Sequence, residues 1–410
     1  MSEEKISVKR IISIILLVTV GFGLFGADRF IVGTVSSEVL SWIAMGPWFY
    51  TVPYLAALCI SLFAGPWCDY LGLRRVLLWG MILTSIGTGL SGLSRTVLDA
   101  CVYRALTGIG DGLYYIGSAA YLGAILPRWR GFAVNMDNVT FIAVGPVCGM
   151  AAGYLLARGF GWSPMFWIVG VVGIPLAFLI YKYSMEIVVE KVRFREIAYY
   201  KAWSSVLKYR GAVLSGFAYF FYMLGGHIAI AWMVTYLLSR GFDIAMASIL
   251  FLIPCIIGTL LSIPICIASD IVGRRPVLAT LALLVIITAP FYLTMSPEMG
   301  IIELMVRTYA FNIPFWSIWA LPVVVSQESA PPDLRGTATG LTVFLGFLAI
   351  DIFVPLTYYL TNVAAIPFLN VMLMMFMICG IGMLITTLLC KETCPRVLER
   401  KGLKPVYERA

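Results

Sequence analysis

One short phrase occurs twice in this chain, about half its length apart, and it constrains the fold more than any other feature. Residues 65–75 read GPWCDYLGLRR and residues 266–275 read CIASDIVGRR. Asp69 and Asp270 lie 201 positions apart, and so do Gly72 and Gly273. A second phrase repeats at nearly the same offset: Pro127-Arg128-Trp129-Arg130-Gly131 returns as Pro332-Asp333-Leu334-Arg335-Gly336, 205 positions later. Two anchors at a common offset make the chain one unit of roughly 200 residues used twice. Internal repeats of that size in an apolar chain build two similar bundles.

The chain is 61% hydrophobic and only 12% charged, with a mean hydropathy of +0.94. A soluble domain carries about 25% charged residues, so water is not the main solvent. Nearly every apolar run reaches the roughly 20 residues that span a bilayer as a helix. Lipid admits helices or closed barrels, and these runs are too long for barrel strands. The expectation is an all-α membrane protein with twelve transmembrane helices in two pseudo-symmetric six-helix bundles. The spans fall near 11–36, 46–67, 74–94, 98–126, 132–157, 162–183, 211–239, 245–268, 276–295, 300–326, 337–361 and 366–390. Residues 1–183 and 211–391 then form the bundles, 184–210 a connector, and 392–410 a tail.

The formal charge of +8 invites a nucleic-acid reading, which its placement rejects. Lys and Arg crowd the N-terminal tail, the two motif loops, the connector and the tail after Lys391, whereas the opposite loops hold little beyond Arg95, Arg158 and Arg240. That asymmetry puts both termini and the connector in the cytoplasm, with the cell membrane as the expected location. Arg128, Arg130, Arg274, Arg275 and Arg335 serve as topology signals in the plainest account. The nine cysteines show no metal-ligand spacing and read as small buried hydrophobes, so neither metal nor disulfide is expected. The first span is too long for a signal peptide. The connector sequence VRFREIAYYKAW is charged and amphipathic and reads as a surface helix.

These residues resemble the major facilitator superfamily along essentially the whole chain. Its loop between spans two and three carries G-x-x-x-D-R-x-G-R-R, which Gly65, Asp69, Gly72 and Arg74 match; Tyr70 and Leu73 depart where basic residues are usual. In the second copy Asp270, Gly273, Arg274 and Arg275 match, and Ile271 departs. Arg104, Gly108 and Gly110 resemble the R-x-x-x-G-x-G of span four, and Gly145-Pro146-x-x-Gly149 a shortened glycine-proline motif of span five. Around Asp111 the chain resembles anion:cation symporters, while SDIVGRRPVL and the tail KETCPRVLERKG are closer to sugar porters and metabolite:proton symporters.

The physics of the loop motif stands on its own. Gly72 and Gly273 permit a tight turn between antiparallel helices. Asp69 and Asp270, at helix ends, accept bonds from arginine or from another helix's N-terminal amides. The resemblance makes this a cytoplasmic gate, to which Arg74, Arg75, Arg130, Asp137, Arg274, Arg275 and Arg335 are assigned with those four residues. A static loop staple is the plainer alternative.

Intramembrane charge is costly, so each instance is a candidate site. The deep charges are Asp28 and Arg29 on span one, Arg104 and Asp111 on span four, His227 on span seven, Arg307 on span ten and Asp351 on span eleven. Six of these seven lie on spans one, four, seven and ten, which the resemblance implies line a central cavity. Asp111 lies about 24 Å of helix from Pro127, and Asp351 about 22 Å from Gly336. Desolvation at such depth disfavours a carboxylate and makes proton uptake practicable. Asp28, Asp111, Asp351 and His227 are therefore the proton-coupling candidates, although an ion pair that only joins helices would also explain Asp111. Arg104 and Asp111, seven apart, share one helix face. Asp28 and Arg29, as sequence neighbours, point about 100° apart and are not expected to neutralise each other. Arg29 then either snorkels to the outer surface or, with Arg104 and Arg307, binds substrate. Asn312, Trp316 and Trp319 follow at helical spacing and offer a substrate wall or ordinary packing; Pro314 and Pro322 mark bends.

The sequence thus leads to a secondary transporter that moves a small polar solute, an organic anion first, by alternating access coupled to protons. A proton-antiporting exporter of amphipathic compounds, a sugar or polyol porter, and a non-transporting sensor are the alternatives. An enzyme is not expected, since H-E-x-x-H, G-x-S-x-G and the P-loop are all missing and there is one histidine. No cofactor is expected; the partners are the solute, protons and the bilayer, and the chain is expected to be monomeric.

Overall fold

The structure, a computed structural model, describes residues 8–43, 48–187 and 197–408. Two compact units divide the chain, Met1–Ala198 and Tyr199–Ala410. The first contains α1 (Val8–Ile43), α2 (Trp48–Tyr70), α3 (Leu73–Ser91), α4 (Val97–Ile125), α5 (Arg130–Ala157) and α6 (Ser163–Tyr183). The second contains the short α7 (Tyr199–Val206), then α8 (Arg210–Ser239), α9 (Ile244–Val272), α10 (Arg274–Leu293), α11 (Ile301–Trp316), α12 (Leu321–Ser329), α13 (Arg335–Asn362), α14 (Phe368–Leu389) and α15 (Pro395–Arg400). Among the described residues, ten segments are long and apolar enough to cross a membrane. The third and fourth expected spans, α3 and α4, are also full-length helices of 19 and 29 residues. Their hydropathy is diluted by Arg74 and Arg75 on α3 and by Asp99, Arg104 and Asp111 on α4. Large apolar side chains such as Trp79, Val171 and Ile302 point outward, as a lipid-facing surface requires.

The repeated phrases form repeated structures. Gly72 (φ 95°) caps the start of α3 and Gly273 (φ 129°) caps the start of α10. Both sit in backbone space that a Cβ disfavours, which explains the same residue at the same point of both copies. The second phrase forms two 3₁₀ turns, Pro127–Trp129 and Pro332–Leu334, and each leads into a helix that opens on arginine. Arg130 and Arg335 then reach back to carbonyls of the preceding helix end, Gly123 at 2.9 Å and Gln327 at 3.2 Å. That contact caps exposed C-terminal carbonyls with a cation.

Two expectations shift. The tenth span is not one bent helix: α11 ends at Trp316 and α12 begins at Leu321. Single-turn bonds bridge the gap, from the Ile318 amide to the Phe315 carbonyl (3.3 Å) and from the Leu321 amide to Ile318 (2.9 Å). Pro322 occupies the first turn of α12, where its missing N–H costs nothing. The connector's amphipathic segment is described only from residue 197, residues 188–196 lying outside the described residues. Its α7 belongs to the second unit, because Val206 is buried with Ala212, Ala330, Leu334 and Ala338.

In the first unit, α4 approaches its neighbours closely. A Cβ at Gly108 would collide with the Pro53 carbonyl of α2, and one at Gly110 with Thr84 of α3. Those two glycines set the distance at which side chains of α3 can reach Asp111.

Gly72→Ala is expected to cost about 1–3 kcal/mol, the usual cost of forcing a side chain into such backbone space. It should lower the thermal unfolding midpoint of the detergent-purified protein. A substitution of Gly89, which makes only ordinary van der Waals contact, should cost less.

Candidate functional site

Within the first unit, four of the sequence-predicted charges converge. Asp28 and Arg29 come from α1, and Arg104 and Asp111 from one face of α4. The Arg104 guanidinium grips Asp28 with two bonds, at 2.7 and 2.9 Å. Arg29 bridges the two carboxylates, donating to Asp28 at 3.0 Å and to Asp111 at 2.5 Å. Thr88 and Thr84, one helical turn apart on α3, donate to Asp28 (3.1 Å) and Asp111 (2.9 Å). Asp28 therefore holds four donors, its full acceptor capacity, whereas Asp111 holds two.

Aromatic rings from α1 and α2 seal this network. The Arg29 guanidinium lies over the rings of Tyr54 (4.4 Å) and Phe25 (4.9 Å), and Arg104 over Phe49 (5.0 Å). Arg104 also donates to the Phe49 carbonyl at 3.2 Å. All four charged side chains are buried. Two cations and two anions sum to zero, the balance a low-dielectric interior demands. Arg29 Nε alone remains without a hydrogen-bond partner.

Two sequence expectations are corrected here. Asp28 and Arg29 do neutralise each other in part, because the arginine stem is long enough to bend back across the 100° between them. Arg29 does not snorkel: at 1% exposure it points inward. Arg104, a substrate-binding candidate in the sequence, is paired with Asp28 in this arrangement.

The remaining candidates lie in the second unit. His227 is buried in α8 beside Gly225 and Gly226. Asn312 accepts from the Trp316 indole at 3.0 Å and donates to the Thr308 carbonyl; Trp316 and Trp319 are buried. Around Phe311 and Phe315 an aromatic column forms, with Tyr292 stacked on Phe311 at 4.8 Å and Phe311 on Phe315 at 5.0 Å. Asp351 on α13 is half-buried, and its Oδ2 is enclosed without a hydrogen-bond partner. Arg307 corrects the expectation of a deep charge. It sits two turns from the start of α11, partly exposed, paired with Glu303 at 2.6 Å and bonded to Thr294 and the Phe291 carbonyl.

The motif residues form a separate polar layer at the helix ends of each unit. In the first, Asp69 is buried, and Arg74 bonds the Tyr181 carbonyl and lies over its ring. Arg75 is exposed. Asp137 is fully buried on α5 and accepts from Ser118 of α4 at 2.8 Å, while its Oδ1 has no partner. In the second unit Arg274 is buried between Asp270 (2.5 Å) and Glu328, which it holds through two nitrogens at 2.9 and 3.2 Å. Thr393 of the tail donates to the same Glu328 carboxylate at 2.8 Å. Its neighbour Glu392 accepts backbone amides from Arg274, Arg275, Thr393 and Cys394. Arg275 closes the layer on the Leu388 carbonyl at 2.7 Å.

Sequence reasoning missed Glu328, Glu392, Thr84, Thr88 and Tyr54. Glu328 stood just past the end of the tenth expected span and Glu392 within the singled-out tail KETCPRVLERKG, so a signal existed for both. The threonines and the tyrosine carry no sequence mark, since their role depends on which helix faces they meet.

Residues 14–353 match the family described as the Major Facilitator Superfamily. The chain belongs to that family, whose members are transporters and not enzymes. Among relatives, Multidrug resistance protein 3 of Bacillus subtilis (strain 168) is 27% identical over 177 residues, 42% of this chain and 34% of that protein. The match thus spans about a third of the relative's length. Among solved structures, a double tryptophan mutant of XylE aligns with a TM-score of 0.75 at 19% identity, covering 96% of this chain and 98% of that one. The human organic anion transporter MFSD10 (TETRAN) aligns with a TM-score of 0.69 at 17% identity, covering 93% and 99%. At those identities the likeness shows the fold.

Asp28→Asn is expected to lose roughly 3–5 kcal/mol of stability, because it strands one buried guanidinium charge. Adding Arg104→Gln should recover part of that loss, which a double-mutant cycle in mixed micelles measures. For the tail, burial holds the Cys394 thiol above its ordinary range and out of reach. Glu392→Ala removes the carboxylate that ties four amides together, bonds to a charge being worth about 1.5–3 kcal/mol. Maleimide labelling of Cys394 should then speed up by about tenfold or more.

Proposed function

We propose that this chain is a secondary transporter that couples a proton to the movement of a small polar solute, an organic anion first, by alternating access. The observation that carries this reading is the unequal ligation of the two buried carboxylates. Asp28 is saturated, so a proton there must displace one of its four donors. Asp111 keeps one arginine and one threonine, so it is the carboxylate that accepts a proton at least structural cost. Protonation turns a neutral network into one with net charge +1, and Arg29 loses one of its two counter-ions. An anion supplies what the proton removed, so the two ligands favour each other's binding. Asp351, with an enclosed and unpartnered oxygen, is the second proton carrier; His227 stands as a further one.

The fold likeness to XylE, described as a proton:xylose symporter, and to MFSD10, an organic anion transporter, supports coupling and substrate class respectively. The multidrug resistance relative favours a second reading, export of amphipathic compounds by proton antiport. A buried charge network suits small polar solutes better, because an amphipathic compound gains little from it. The motif layers act as gates at the cytoplasmic face, the chain resides in the cell membrane with both termini inside, and it works as a monomer.

Proteoliposomes test this directly. A thermal-shift panel of carboxylates, sugars, phosphates and amphipathic drugs first finds a ligand of the folded state. Uptake of that ligand should follow an imposed proton gradient in the parent protein. Asp111→Asn should abolish gradient-driven accumulation while exchange persists. Equal accumulation by mutant and parent would remove Asp111 from coupling, and accumulation of the ligand against an inward proton gradient would favour the export reading.

A further inference from the structure

We propose that the second unit carries a binding site for a phosphate group, of the phospholipid headgroup or phosphomonoester type, in the cavity where α8 begins. The cavity has a volume of about 240 Å³ and is lined by Lys208, Arg210, Gly211, Ser329 and Lys391, with Leu389 among its apolar walls. Three exposed cations therefore line one hollow to which no carboxylate of the described residues contributes, and none of the three side chains has a hydrogen bond or ion pair to a described residue. Like charges gathered without counter-ions repel one another, and an anion in the hollow removes that cost.

The backbone adds donors of its own. Arg210 and Gly211 open the 30-residue α8 with no side-chain cap. Their amides lack acceptors among the described residues, and the positive end of the helix dipole faces the same place. An independent observation then points to a ligand. Ser329, at the end of α12, is 1% exposed, lines this cavity, and its hydroxyl has no hydrogen-bond partner. A buried hydroxyl without a partner costs free energy that a bound oxyanion restores. Its neighbour Glu328 does not supply the missing acceptor, being committed to Arg274 and Thr393.

Glycine at 211 completes the cradle. A Cβ there would collide with the Ser329 hydroxyl, so only glycine leaves the hydroxyl and the helix amides facing one hollow. The site lies at the end of the unit that the positive-inside count assigns to the cytoplasm, where anionic headgroups gather. Leu389, half-exposed at the end of α14, offers an apolar edge beside the cations, as the glyceride portion of a lipid requires.

Native mass spectrometry of the full-length protein in neutral detergent tests this, with dioleoyl phosphatidic acid and dioleoyl phosphatidylcholine as probes. Phosphatidic acid should bind in preference. Lys208→Gln combined with Arg210→Gln and Lys391→Gln should weaken it about tenfold or more, and so should Gly211→Ala, a change of about 1.4 kcal/mol. Ser329→Ala removes only the hydroxyl and should weaken binding even if Gly211→Ala fails to fold; Lys201→Gln, an exposed cation of α7 away from the cavity, should leave it unchanged. Competition by glycerol 3-phosphate that displaces the lipid would assign the site to soluble phosphomonoesters, and resistance to it would assign the headgroup. The proposal falls if phosphatidic acid and phosphatidylcholine bind equally. It also falls if only the triple charge variant loses binding while Gly211→Ala and Ser329→Ala match the parent, since that pattern marks diffuse attraction and not a built site.

Discussion

An arginine inside a hydrocarbon layer has to bring its counter-charge with it, and this constraint organises both units. Arg29 and Arg104 are buried in the first unit and Arg274 in the second, and each touches at least one carboxylate. The helices that donate these groups cannot separate without exposing a charge to lipid. In the first unit the network fixes α1 against α3 and α4; the aromatic lids from α1 and α2 and the glycine contacts of α4 follow from that geometry. Within that network, side-chain donors from α1, α3 and α4 take the place of solvent at the carboxylates.

Much of this was legible in the sequence. The 201-residue offset of Asp69 and Asp270 located both glycine turns, and the apolar runs located the membrane helices apart from the far end of α1 and the break between α11 and α12. The deep charges Asp28, Arg29, Arg104 and Asp111 stand among the seven candidates identified from the cost of intramembrane charge. What the sequence withheld was mutual geometry. Sequence neighbours were read as unable to pair because only the helical angle was considered, and the reach of the arginine side chain was not. Arg307 was read as deep because apolar residues flank it, whereas α11 starts only six residues earlier. Glu328 and Glu392 stood in or beside segments that were noticed, but their meaning rests on a tail folding back over α9 and α10.

The repeat is close in scaffold and unequal in charge. Leu73 stands 201 positions before Arg274, so the first unit buries a hydrocarbon side chain where the second buries a guanidinium. Asn312 stands 201 positions after Asp111, and there it is the first unit that carries the ionisable side chain. A duplicated scaffold has thus placed its ionised deep network in one copy and its heavily braced rim in the other. Division of that kind gives two halves with similar helices different electrostatic interiors.

The interrupted tenth span has a mechanical consequence. Between Trp316 and Leu321 the helix ladder is replaced by single-turn bonds, so α12 can tilt as a rigid rod of nine residues without unwinding α11. The far end of that rod carries Glu328, clasped by Arg274 and by Thr393 of the tail. A rod pivoted at one end and latched at the other is a lever, and its latch includes residues that follow the last span. The tail of this protein is therefore tied to a helix more than sixty residues before it, so a tilt of that helix would have to break or carry the tail contact.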